Sequence, residues 1–193
     1  MALGLAFHAS RATEDMKLDE ARTCQRCDLA HTRTQVVIGT GPQPARLIIV
    51  GEAPGKSEDE GGAPFIGRSG KLLFDLLTQE LDLVRDECFV TNVVKCRPPN
   101  NRTPRRSEVV ACAPWLELQK RDWSGGVVVA LGLTSARVLT GLRASMAELH
   151  GRPVSVSNFT VVPTYHPAAA LRQGPSVVSV MRQDFQIVRG LLP

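Results

Sequence analysis

Four short runs constrain this chain most: Leu47 to Val50, Cys88 to Val93, Val127 to Leu131 and Thr160 to Pro163, each rich in β-branched residues and mostly apolar on both faces. Each is too short for a helix, and a strand with apolar side chains on both faces must be covered on both, as parallel strands are. Helical periodicity fills the intervals at Ser69 to Leu81, Ser107 to Lys120 and Thr134 to Leu139, and again at Val177 to Leu192. Strand and helix in alternation predict an α/β fold in which helices cover both faces of a parallel sheet. In such a fold the ligand site lies at the carboxyl ends of the strands. Pro114, inside the second of these helical patterns, supplies no backbone donor and predicts a kink or a restart there.

With 193 residues, 43% of them hydrophobic, the chain can enclose one substantial core, and residues 1–193 are expected to form a single domain. Residues 1–12 read as a flexible end. No apolar run approaches the roughly 20 residues of a membrane span. Met1 to Ser10 also lacks the basic start and long apolar centre of a signal peptide, so a cytoplasmic protein without membrane attachment is expected. Lys and Arg outnumber Asp and Glu by 23 to 19, a net charge of +4 that mildly favours polyanionic partners.

The segments after the strands carry the chemistry. Gly51-Glu52-Ala53-Pro54-Gly55-Lys56-Ser57 resembles a phosphate-cradling loop at first sight, but its glycines are one residue too close and Val50 stands where the first glycine belongs. A nucleoside-triphosphate site is therefore not expected, and the segment reads instead as a tight turn that lets Glu52 project into a cleft. Asn92, at the end of the second strand, offers an amide donor and an amide acceptor side by side, which is what reading the edge of a base requires. Beyond it, Arg97 to Arg106 holds four arginines in a proline-stiffened loop suited to phosphates. Thr164-Tyr165-His166-Pro167 follows the last strand, so His166 is expected to face Glu52 and Asn92 across one cleft.

Cys24 and Cys27 form a CxxC pair, while Cys96 and Cys112 have fifteen residues between them and Cys88 begins an apolar strand as a core residue. Such spacings fit a disulfide framework poorly and a metal site in a reducing compartment well. Four thiolates can close a tetrahedral zinc site or hold an iron-sulfur cluster. The wide second spacing leans towards iron and sulfur without excluding zinc.

These residues together resemble the fourth family of uracil-DNA glycosylases, the iron-sulfur type of bacteria and archaea. The likeness runs from about Leu18 to Leu192. It rests on Cys24-Gln25-Arg26-Cys27, Gly51-Glu52-Ala53-Pro54-Gly55, Gly62-Ala63-Pro64-Phe65-Ile66-Gly67, Thr91 to Pro99, Cys112 and His166-Pro167-Ala168. It implies a three-layer α/β/α sandwich around a central, mainly four-stranded parallel sheet. It also implies a structural 4Fe-4S cluster on Cys24, Cys27, Cys96 and Cys112, bracing a DNA-binding loop. The implied substrate is uracil in single- or double-stranded DNA, handled by a monomeric, nucleoid-associated repair enzyme that needs no nucleotide cofactor.

By the same resemblance, uracil flips out of the DNA into a pocket walled by Ala53, where Phe65 stacks on its face. Asn92 would donate to the carbonyl at position 4 and accept from N3–H, a pattern that cytosine reverses. Such a mismatch can reject the wrong base by roughly 10⁴ or more. His166 would steady the charge on the departing base. Arg68, Arg102 and Arg172 would contact DNA, with Leu171 as a wedge in the stack. The pattern departs from the best-known uracil glycosylases at Ala53, where they place an Asp that positions the attacking water. Glu52 and Asn101 are the replacements to weigh. It departs again at Gly55, which stands in place of an aromatic ring that keeps out the methyl group of thymine. Competing expectations are a non-catalytic iron-sulfur protein that binds nucleic acid and a zinc-stabilised nucleotide-binding module.

Overall fold

A computed structural model describes residues 17–193; the end expected to be flexible lies outside the described residues. Among these residues, five strands form one sheet: β1 (Leu47–Gly51), β2 (Cys88–Asn92), β3 (Val127–Leu131), β4 (Val154–Val156) and β5 (Phe159–Thr164). Their order is β2-β1-β3-β5-β4, and every neighbouring pair is parallel except β4 with β5. The four expected parallel strands are all there. The antiparallel β4 is the addition, a three-residue strand that returns to β5 through Ser157, whose φ is 52°. Its Val-Ser-Val sequence is only partly buried, as befits a sheet edge.

Among the described residues, seven α-helices flank the sheet: α1 (Lys56–Gly61), α2 (Arg68–Leu81), α3 (Arg106–Lys120), α4 (Leu133–Thr140), α5 (Met146–Leu149), α6 (Pro167–Gln173) and α7 (Pro175–Arg189). Strand β1 shows why there are three layers, because all five of its residues are buried and successive side chains point to opposite faces. Ile48 and Val50 join a core with Trp115 and Leu116 of α3 and Leu139 of α4. Leu47 and Ile49 join a separate core with Leu73 and Leu77 of α2 and Met181 and Phe185 of α7. Helix α2 buries Leu73, Leu76, Leu77 and Leu81, the one-sided stripe its periodicity announces, and stops where Asp82 turns left-handed at φ 55°. No helix among the described residues is long and apolar enough to cross a membrane.

Helix α3 runs through Pro114 as a single element, so the chain does not restart there. The acceptor that Pro114 leaves unserved is the carbonyl of Val110, a residue 43% exposed, where water can take the place of the missing donor. Helix α7 ends at Arg189, three residues short of the expected Leu192, because the apolar stripe of Val177, Met181, Phe185 and Val188 is then complete.

Candidate active site and cysteine pole

The carboxyl ends of the strands open on a cleft of about 660 Å³. Gly51 and Asn92 end β1 and β2 as paired neighbours in the sheet. A side chain on residue 51 would put its Cβ 2.3 Å from Asn92 Oδ1 and 2.6 Å from the edge of the Phe65 ring. Glycine at this strand end is thus what allows the amide and the aromatic ring to close on the same space. Asn92 is 2% exposed, and its Oδ1 is buried without a hydrogen-bond partner among the described residues. An orphaned acceptor of this kind costs about 1–3 kcal/mol of stability, so its persistence in a cleft wall marks a group kept for a ligand.

Phe65 reaches that space from an unusual backbone, with φ 53°. Three features hold it there. Arg85 donates to the carbonyls of Pro64 and Phe65 at 2.5 and 3.0 Å. Gly70 of α2 leaves room for the Phe65 carbonyl, which would stand 1.7 Å from a Cβ on residue 70. On the far side, the Glu58 carboxylate accepts from the N–H groups of Ile66 and Gly67 at 3.1 and 2.9 Å, and from Gly55 at 3.1 Å.

His166 faces Phe65 with ring centroids 5.7 Å apart and planes tilted by 31°. It caps α6, its Nδ1 accepting from the Ala168 N–H at 3.1 Å. Since Nδ1 accepts, the neutral ring carries its proton on Nε2 and is a donor there. Burial in the cleft wall, then the nearby charge of Arg172, pulls its pKa down to about 4, with only Glu58 opposing.

Glu52 lies in the same cleft, its carboxylate accepting from the Thr134 hydroxyl at 2.5 Å. Its main-chain carbonyl is fixed by the Val94 N–H. Ala53 also lines the wall. Asn101 reaches the rim from a turn in which Asn100 and Asn101 are both left-handed, and its Oδ1 accepts from Arg97 Nε at 2.7 Å. Arg68 and Arg172 stand at the mouth with exposed side chains, and Leu171, beside Arg172 on α6, is 44% exposed. Arg102 is also at the rim, but its guanidinium grips buried Glu108 through two bonds of 2.9 and 2.6 Å. That arginine therefore fastens the basic loop to α3 as well as lining the cleft.

The four cysteines gather at the other end of that loop. Cys96 and Cys112 are buried, Cys24 and Cys27 half-buried, and all four belong to the core on the α3 side of the sheet. Their thiols feel one another electrostatically: Cys24 acts on Cys27, Cys24 and Cys27 act on Cys96, and Cys24 and Cys96 act on Cys112. N–H groups point at three of the sulfurs, from Trp115 to Cys24, from Arg33 to Cys96 and from the Lys95 backbone to Cys112, at 3.3, 3.3 and 3.2 Å. Among the described residues, no three His, Cys, Asp or Glu side chains gather tightly enough to hold a lone ion. Four sulfurs, three of them with N–H donors aimed at them, make a donor set that fits a thiolate-bound cluster.

A family model described as the uracil DNA glycosylase superfamily matches residues 38–186. The chain belongs to that superfamily. Its relatives place it in the type-4 branch. It is 39% identical over 181 residues to the type-4 uracil-DNA glycosylase of Sulfurisphaera tokodaii, a match covering 90% of this chain and 82% of the relative. The Pyrobaculum aerophilum protein of the same name is 42% identical over 178 residues, covering 88% and 89%. That of Thermotoga maritima is 41% identical over 156 residues, covering 80% and 81%.

Within this superfamily member, the residues expected to act together do meet: Glu52, Ala53, Phe65, Asn92, Asn101 and His166 line one cleft. Arg68, Arg102 and Arg172 border it, while Leu171 is not among its lining residues. Sequence reasoning missed Gly51, Glu58, Arg85 and Thr134. Glu58 alone left a signal, three residues after Gly55 at a helix start, which is the spacing of a capping carboxylate.

Proposed function

We propose that this protein is a DNA-repair hydrolase that cuts the N-glycosidic bond of uracil flipped out of single- or double-stranded DNA, leaving an abasic site. The Asn92 Oδ1, unpartnered among the described residues and set against an aromatic ring and an imidazole donor, is the observation that carries this reading. In it, Phe65 stacks on the base, Asn92 Oδ1 accepts from N3–H, and the Asn92 amide donates to the carbonyl at position 4. As the bond from C1′ to N1 breaks, its electron pair leaves with the base, and the Nε2–H of His166 donates to the charge growing there. Water adds its oxygen to C1′ and gives up a proton to solvent or to the departing base. Glu52, steadied by Thr134, is the group we assign to orienting that water, with Asn101 at the rim. Arg68, Arg102 and Arg172 face phosphates, and Leu171 enters the stack.

In the same reading, Cys24, Cys27, Cys96 and Cys112 hold a structural 4Fe-4S cluster, which when bound ties the amino-terminal segment to the basic loop. Residues 1–193 act as one domain, and the enzyme works as a monomer. The test is an assay on uracil-containing oligonucleotides without added metal ion or nucleotide, on protein purified without oxygen. Abasic sites should form, and the protein should contain iron. Failure to release uracil from both single and double strands would refute the activity.

Exclusion of thymine follows from Glu58 in this reading. Its carboxylate stands 2.8 Å from where a Cβ on residue 55 would lie, the side of the loop on which other uracil glycosylases carry an aromatic ring. A carboxylate held by three backbone N–H groups cannot retreat from a methyl group cheaply. Glu58→Ala should therefore narrow the preference for uracil over thymine by about 10-fold or more. Excision measured side by side on the two bases checks this, and an unchanged ratio would move thymine exclusion elsewhere.

A further inference from the structure

Lys95 is 1% exposed, more deeply buried than any other charged side chain among the described residues. Each of its three N–H bonds meets an oxygen: Thr91 Oγ1 at 2.8 Å, Gln119 Oε1 at 2.6 Å and the main-chain carbonyl of Asn92 at 2.5 Å. None of these is anionic, and no carboxylate pairs with Lys95 among the described residues. Burial is the largest influence on this lysine and pulls its pKa down, because a buried ammonium without a counter-charge is costly. Against that larger pull, the fields that favour its charge come from the sulfurs of Cys112 and Cys96. Cys96 is the next residue, and the Lys95 backbone N–H donates to Cys112 Sγ at 3.2 Å. One residue thus has its backbone on a sulfur and its ammonium on the peptide that carries the base-reading amide.

We infer that Lys95 is the positioning residue that ties Asn92 to the four-cysteine centre: its ammonium fixes the strand end from which Asn92 reads the base, and it is the buried positive charge set against the sulfurs. The inference rests on the reading of those cysteines as cluster ligands. Gln119 completes the arrangement, because its Nε2 donates to the Ile38 carbonyl at 2.8 Å while its Oε1 receives Lys95, so the ammonium has a fixed seat. A change at either end is then felt at the other, without any contact between uracil and the sulfurs.

The experiment is a double-mutant cycle on holoprotein purified without oxygen, comparing native, Lys95→Met, Asn92→Ala and the double variant. Iron content and the midpoint potential of the centre are measured on the same samples. Lys95→Met should lower kcat/KM on uracil-DNA about 10-fold, and this penalty should shrink to less than about 2-fold once Asn92 is already alanine. Its midpoint potential should fall, because removing a nearby positive charge disfavours the reduced centre. An additive cycle overturns the link to Asn92, an unchanged potential overturns the link to the sulfurs, and either result sinks the inference. Should Lys95→Met not fold, Gln119→Glu replaces it: a carboxylate facing the ammonium should lower the potential, and no change overturns the proposal. A native protein without iron refutes the cluster reading instead, and the cycle then judges the tie to Asn92 alone.

Discussion

Asn92→Ala should lower kcat/KM for uracil in DNA by roughly 10²- to 10⁴-fold while leaving the folded protein at least as stable as before. The loss follows from two hydrogen bonds to the base edge, each worth about 1–3 kcal/mol once the base is enclosed and its own polar groups are left unpaired. Stability should move the other way, because Oδ1 has no partner among the described residues and its burial is a standing penalty. Removing it relieves that penalty and opens no closed cavity, since the side chain lines the cleft. Most substitutions at a residue only 2% exposed would destabilise, so a Tm that holds or rises beside a collapse in activity separates a ligand-facing amide from a structural one. Excision kinetics on uracil and thermal unfolding of the two proteins settle the matter. Full activity in the variant would remove Asn92 from the reading role.

Discrimination follows from the same amide. Cytosine presents a donor where uracil has its position-4 carbonyl and an acceptor where uracil has N3–H, so both Asn92 contacts become repulsive for it. The variant should therefore lose activity on uracil without gaining much on cytosine.

The strand ends were legible because their signal is local: runs of Val, Ile and Leu too short for a helix read as buried strands, and parallel strands deliver their ends to one edge. Asn92 and His166 meet for that reason, although they stand 74 positions apart. What stayed hidden depends on partners distant in sequence. Arg85 reads as an ordinary surface cation until it is found on the carbonyls of Pro64 and Phe65. Gly51 is one glycine among 16, and its necessity is visible only as the distance from a missing Cβ to Asn92 and Phe65. Arg102 reads as one of four equivalent arginines, yet buried Glu108 claims it. Strand β4 and helix α6 were missed because three half-exposed residues and a run of alanines carry too little periodicity to register.

His166→Ala should cut kcat by about 10²- to 10³-fold with a much smaller change in KM, the mark of a donor that matters most when charge has built up on the departing base. The ring that does this is neutral: with a pKa near 4, set first by burial and then by Arg172, it carries no net charge at any pH from about 5 upwards. The pH profile of kcat should accordingly run flat through 6.5, where an ordinary histidine would turn it, and fall only as the imidazole charges near pH 4. Stability gives the matching sign. Between pH 6.5 and 4 the unfolded chain binds a proton at this histidine that the folded chain refuses, so the native protein loses stability as pH falls through that window and levels off below it. His166→Ala removes this contribution, so its stability should depend less steeply on pH there, even though it also loses the cap on the Ala168 N–H, worth about 1 kcal/mol. An inflection of kcat near pH 6.5 in the native enzyme would mean that the imidazole acts in its charged form, and the neutral-donor mechanism would have to be abandoned.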